Sequence, residues 1–259
     1  MSFDADSFME EQGPFTAPQK KEKGKAQKVV AAVATAVKTV ATKVKKSLGP
    51  IDRAIALIEL RFMESAGISV DLSVYPIKQD QQGVHQAATN KAKSDEHGEV
   101  FTPMWLVDHM IEKAADFPWK NQNKTTEDLC SGYGQFTVRL LRKKYSVLGE
   151  KFDLKKFLTE THLFIEIQPD SCYRLLYTFG KKIRLLIGDA AQKGKLPDTA
   201  ETGIWVWSDV CERWYDCTVQ VQQMFDSVGT AGTLAERAAA FMKRFNAHKK
   251  RIESRRRGA

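Results

Sequence analysis

Residues 99–218 predict an α/β domain, a parallel sheet with helices on both of its faces. Three observations predict it. Short apolar runs recur at TTEDLC (125–130), HLFIEI (162–167), IRLLIGDA (183–190) and GIWVWSDV (203–210), each of strand rather than helix length. Stretches at helical spacing separate them, QFTVRLLRKKY (135–145) and the segment 169–180. The runs also end in a glycine turn or an acidic residue. The 42% hydrophobic content sustains a real core, and sparse glycine and proline exclude collagen-like and wholly disordered chains.

Taken in order, residues 1–27 are polar, contain two prolines and run into a lysine cluster, so a disordered basic tail is expected. Residues 28–98 predict a helical extension and linker. Within it, KVVAAVATAVKTVATKVKKS (28–47) predicts a basic amphipathic helix that Gly49-Pro50 breaks. Residues 51–66 carry apolar side chains at helical spacing, and the polar stretch that follows predicts a flexible connection. At 99–115 the chain opens with Phe101-Thr102-Pro103 and runs into an amphipathic helix, with Thr102 suited to the N-cap and Pro103 to the first helical position. Residues 145–161 look like an insertion. Beyond 218 only helices are expected, a basic C-terminal extension over 219–259.

The formal net charge of +8 is unevenly spread. Residues 20–46 hold nine Lys and one Glu, and residues 237–257 hold nine Lys or Arg and one Glu, whereas 1–19 carry four acids and no base. The interior is therefore mildly acidic and the positive charge sits in two flanks. Such flanks attract polyanions by displacing counterions from phosphates, so nucleic acid is the expected partner of 20–46 and 237–257. The four cysteines, Cys130, Cys172, Cys211 and Cys217, form no CxxC pair and no cluster with the histidines, so no metal site is expected. No signal peptide and no apolar run of about 18 residues occurs, which fits a cytoplasmic protein with reduced thiols.

The chemistry concentrates in Asp128-Leu-Cys-Ser-Gly132-Tyr-Gly134, where a strand turns into a helix. Gly132 and Gly134 permit a tight turn and a close ligand approach, and the helix N-terminus beyond offers unpaired N–H groups. Asp128 can accept from a ligand amine. Thr137 stands where the dinucleotide fingerprint has its third glycine, which argues against a nicotinamide cofactor. Glu166 ends the second strand and suits the two hydroxyls of a ribose. Asp189, after Gly188, can accept from the exocyclic amine of an adenine.

These motifs, GEVFTPMWLVDHMI, DLCSGYGQF, FIEIQPDSCYRLL and LLIGDA, resemble successive motifs of S-adenosylmethionine-dependent DNA adenine-N6 methyltransferases of the restriction–modification type, over about 110 residues. The resemblance implies a Rossmann-like class I methyltransferase fold, truncated and carrying helical basic extensions. It implies that Phe101, Thr102 and Pro103 lie beside the methionine carboxylate of S-adenosylmethionine. It places Asp128, Gly132 and Gly134 along the methionine and ribose, Glu166 on the ribose hydroxyls, Ile167 against the adenine and Asp189 on its amine. The reaction implied is methyl transfer to adenine N6 in nucleic acid.

The family's catalytic motif, a polar residue followed by Pro-Pro and an aromatic, has no counterpart here. The fourth strand reads GIWVWSDV, where Ser208 or Asp209 could accept from an amine, and Trp207 or Trp214 could stack on a flipped base. Two alternatives to an enzyme stand beside it. One is a catalytically inactive protein that binds cofactor or nucleic acid or completes a partner's active site. The other is an interaction protein with a vestigial pocket. The residues after the fourth strand read as helical and basic, so target recognition is expected to come from a protein partner.

Overall fold

The computed structural model describes residues 49–67, 102–114, 116–198, 200 and 202–254. The expected tail 1–27, the basic helix 28–47, the connection after Gly67, and Phe101 lie outside the described residues. The chain divides into two compact units, Met1–Phe117 with Val138–Phe152, and Pro118–Thr137 with Asp153–Ala259.

In the first unit, helix α1 (Pro50–Ser65) starts on Pro50, whose fixed φ and missing N–H suit a first turn. Its apolar residues Ile51, Ile55, Ile58 and Phe62 recur every three or four positions and are buried. Helix α2 (Met104–Lys113) begins one residue later than the Thr102 cap would place it: Pro103 is extended (φ −55°, ψ 142°), is itself the N-cap, and no side chain caps the helix. Helix α3 (Gln135–Leu148) contributes its later turns to this unit. Arg142 grips Glu59 through Nε and Nη2 at 2.5 and 2.7 Å. The Tyr145 hydroxyl donates to Asp52 at 2.7 Å, and Arg139 forks onto Asp108. Bidentate pairs of this kind fix orientation better than single-point ion pairs do.

The second unit is built on five strands, β1 (Thr126–Asp128), β2 (His162–Glu166), β3 (Arg184–Ile187), β4 (Ile204–Ser208) and β5 (Arg213–Asp216). They lie in the order β1-β2-β3-β4-β5, the first four parallel and β5 antiparallel to β4. The expected α/β class with a mostly parallel sheet is what the structure has. Strand neighbours follow chain order, however, without the reversal that creates a topological switch point.

Helices α4 (Pro169–Phe179), α5 (Thr218–Val228) and α6 (Leu234–Ser254) pack together. Tyr173 of α4 meets Phe225 of α5 and Phe241 of α6 at ring separations of 5.2 and 5.5 Å, and Phe179 of α4 meets Phe164 of β2 at 4.9 Å. On the opposite face Leu163, Ile165, Leu186, Trp207 and Trp214 form a cluster. Ala190 and Leu196, from and just after the 3₁₀ turn Ala190–Lys195, pack against it. Among the described residues of this unit, that turn packs on the second face.

Two local differences have simple causes. β1 is shorter than TTEDLC because Leu129 and Cys130 turn away into the exposed loop. β5 was not expected from sequence: RWYD is a single short run, and it becomes a strand by pairing with β4, Trp214 opposite Trp207. The stretch 149–161 is a set of helical turns, Gly149–Lys151, Leu154–Lys156 and a π-helical turn Phe157–Thr161 that leads into β2. Among the described residues no helix is long and apolar enough to cross a membrane.

Candidate functional site

Parallel strands present their carboxyl ends at one edge of the sheet, and three acids sit there, Asp128 closing β1, Glu166 closing β2 and Asp189 after β3. The loop from β1 to α3 is fastened to β2. Ser131 N–H donates to the Ile165 carbonyl at 3.0 Å, and its hydroxyl donates to the Asp128 carbonyl at 2.9 Å and accepts from Ile165 N–H at 3.1 Å. Glu166, 8% exposed, accepts Gly132 N–H at 2.7 Å on one oxygen and Gln168 N–H at 2.8 Å on the other. The Arg174 guanidinium lies 4.6 Å over the Tyr133 ring, tying the same loop to α4.

The two glycines of the turn adopt positive φ, 51° at Gly132 and 87° at Gly134, the left-handed side that favours glycine. The reason at Gly134 is packing as well as turning: a Cβ there would stand 2.2 Å from Cε2 of Phe179. The close approach that sequence assigns to a ligand is here made by an aromatic ring of α4. Gly188 is similar, since a Cβ there would meet Trp207 at 2.5 Å and Trp214 at 3.1 Å.

Burial pushes the Asp128 carboxyl up to about 6, against hydrogen bonds from the Thr137 hydroxyl and the Cys130 N–H that lower it. Asp128 Oδ2 accepts from Thr137 Oγ1 at 3.2 Å. Thr137 Oγ1 also meets His162 Nε2 at 2.8 Å, and His162 Nδ1 meets Thr126 Oγ1 at 2.8 Å. Cys130 is exposed; desolvation and then the charges of Glu166, Asp128 and Asp189 raise its thiol. β1, β2 and β3 are neighbours in the sheet, so the three acids share one of its edges.

Asp189 is exposed and caps its 3₁₀ turn by accepting Ala191 N–H at 2.9 Å. Ile167, one residue past Glu166, is 55% exposed, as are Leu129 (52%) after β1 and Val210 (46%) after β4. Apolar side chains left open beside acids offer contact to a flat ring.

The end of β4 is different in character. Trp207 is buried in the second-face cluster, 5.4 Å from Trp214, with the Lys195 ammonium 5.1 Å over its ring. Ser208 is buried and its hydroxyl accepts Cys211 N–H at 3.2 Å. Asp209 is paired with Lys249 at 2.9 Å, a hydrogen bond that holds its carboxyl below the usual range. β4 then turns straight back into β5, Ser208 paired with Arg213, and Glu212 takes the left-handed conformation (φ 47°) in the turn. Two strands separate β4 from β1.

Thr102 and Pro103 head α2 in the first unit, and Asp128, Gly132, Gly134, Glu166, Ile167 and Asp189 belong to the second. Sequence reasoning gave no site role to Ser131, Thr137 or His162. The one available signal was a polar residue, His162, opening an otherwise apolar strand. Among the described residues no cluster of His, Cys, Asp or Glu could hold a metal ion. No family model matches the chain, and no curated protein or solved structure does.

Proposed function

We propose that the carboxyl edge of the sheet binds S-adenosylmethionine, in the manner of the nucleic-acid adenine-N6 methyltransferases whose motifs the sequence resembles. The observation that carries the reading is the placement of Asp128, Glu166 and Asp189 at the carboxyl ends of three neighbouring parallel strands, with the loop after Asp128 bonded to Glu166 through Gly132 N–H. The donor set fits the cofactor's parts. Asp128 offers a carboxylate to an ammonium, Glu166, each oxygen accepting one backbone N–H, has lone pairs left for a diol, and Asp189 with the exposed Ile167 suits an adenine amine and ring. When bound, the cofactor supplies an electrophilic methyl group on a sulfonium.

A second reading, binding without catalysis, is favoured by the end of β4. Trp207 lies in the core, the Ser208 hydroxyl caps its own turn and Asp209 is neutralised by Lys249. A base-stacking and amine-accepting role would require all three to be released. The chain then acts as a cofactor-dependent binder of nucleic acid or as the partner of a catalytic subunit. The basic flanks 20–46 and 237–257 supply phosphate contacts that position without specifying sequence.

Titration calorimetry with S-adenosylmethionine and S-adenosylhomocysteine tests the pocket. Micromolar binding is expected, together with protection of the exposed Cys130 from alkylation. Asp128→Ala and Glu166→Ala each weaken binding by about 1.5–3 kcal/mol. Unchanged affinity in both variants would sink the site. A radiolabelled methyl-transfer assay on mixed DNA and RNA then separates the readings: incorporation of label establishes the enzyme, and binding without incorporation establishes the binder.

A further inference from the structure

Thr137 and His162 are fully buried, at 0% exposure. The His162 ring is stacked on Phe157 (4.9 Å, 14°) and edge-on to Phe164 (4.5 Å). Through these apolar surroundings runs a chain of four polar side chains, Asp128, Thr137, His162 and Thr126, with links of 3.2, 2.8 and 2.8 Å. A buried polar chain is tolerable only where every donor finds an acceptor.

That requirement fixes the protons. An ionised carboxylate only accepts, and Thr137 has one hydroxyl proton, which it gives to Asp128 Oδ2. The Thr137 oxygen must then accept from His162 Nε2–H. Nδ1 is left to accept from the Thr126 hydroxyl. One neutral tautomer of His162 satisfies the whole chain, and it leaves Asp128 oriented as an acceptor.

We propose that Thr137 and His162 are positioning residues that hold Asp128 as an oriented carboxylate for the ammonium group at the amino-acid end of its ligand. The inference rests on the S-adenosylmethionine reading and names which part of that ligand the chain serves. A carboxylate with one oxygen anchored from inside the sheet keeps the other directed by the same geometry, so an incoming cation meets a preorganised partner rather than one it must order.

The first measurement uses the free protein. Nitrogen-15 spectra of the histidine rings, with the His162 signal assigned through its loss in His162→Gln, are expected to show Nε2 protonated and Nδ1 bare. A ring protonated at Nδ1, or at both nitrogens, overturns the proposal. The second measurement compares two ligands, S-adenosylhomocysteine and methylthioadenosine, which lacks the amino-acid end. Thr137→Val is expected to weaken the first about tenfold and leave the second unchanged, with Thr137→Ser restoring the loss. Equal weakening of both ligands means that Thr137 serves the fold alone and overturns the positioning role. So does undiminished binding of S-adenosylhomocysteine by Thr137→Val. Binding of neither ligand by the wild type removes the cofactor reading and the ligand role with it, an outcome distinct from binding that is indifferent to Thr137.

Discussion

Asp128 holds a charge in a place that disfavours one. Its carboxyl titrates near 6 rather than 3.8, chiefly because burial penalises the ionised form. Between about pH 4 and pH 6 the folded chain retains a proton that the unfolded chain has released, so stability falls as pH rises through that window and stays lowered above it. The penalty at neutral pH is on the order of 2–3 kcal/mol. Asp128→Asn keeps an oxygen for Thr137 and the Cys130 N–H but carries no charge. It is expected to be more stable than wild type by about 1–2 kcal/mol at pH 7.5, with the gap closing near pH 4.5 and ligand affinity lost throughout. Urea unfolding of both variants at the two pH values checks this. A variant less stable than wild type at pH 7.5 would show that ionised Asp128 supports the fold rather than a ligand. A charge retained against stability is a feature of binding sites.

At the scale of elements, what was legible in the sequence was what local periodicity encodes. α1, α3, α4, α5 and α6 follow apolar spacing, and β2, β3 and β4 follow short apolar runs. Strand order was not legible, because pairing depends on contacts between distant segments, and β5 exists only through its partner β4. The acids of the pocket were visible as strand-end residues; the Thr137–His162 chain was not, because the two lie 25 residues apart and meet only in three dimensions. Gly134 shows how a correct residue can carry an incomplete reason. The turn needs its positive φ, yet α4 needs its missing Cβ, since Phe179 occupies that space. Gly134→Ala is therefore expected to destabilise the ligand-free protein by about 2–4 kcal/mol, from left-handed strain and overpacking together. Adding Phe179→Leu should recover part of the loss, a coupling of about 1 kcal/mol in a double-mutant cycle. Were the glycine there only for a ligand, the alanine variant would unfold with the wild type.

For the whole molecule the governing quantity is where its +8 charge can act. Helix α6 holds the described part of the C-terminal flank, and its bases divide into two sets. Lys249 is bound to Asp209, Arg244 donates to Ser227, and Arg237 lies 5.2 Å over Tyr177, so these hold α6 to its own unit. Lys243, Lys250 and Arg251 are exposed. Lys243 and Lys250 are seven residues apart, close to two helical turns, and Arg251 adjoins them, which places the three on a solvent side that phosphates can reach. If α6 lies on nucleic acid, only this second set releases counterions. Replacing Lys243, Lys250 and Arg251 together with Gln should leave folding intact and reduce the slope of log affinity against log salt by about 2–3. Anisotropy of a labelled duplex between about 50 and 200 mM salt reads that slope. The loss should be the same for unrelated sequences, because phosphate contacts carry no base information. A slope that does not change would assign the polyanion contact to bases outside α6, in 20–46 or at Arg255, Arg256 and Arg257. A loss that differs between sequences would mean that α6 reads bases, and the division of labour between positioning flanks and a cofactor-binding sheet would then have to be redrawn.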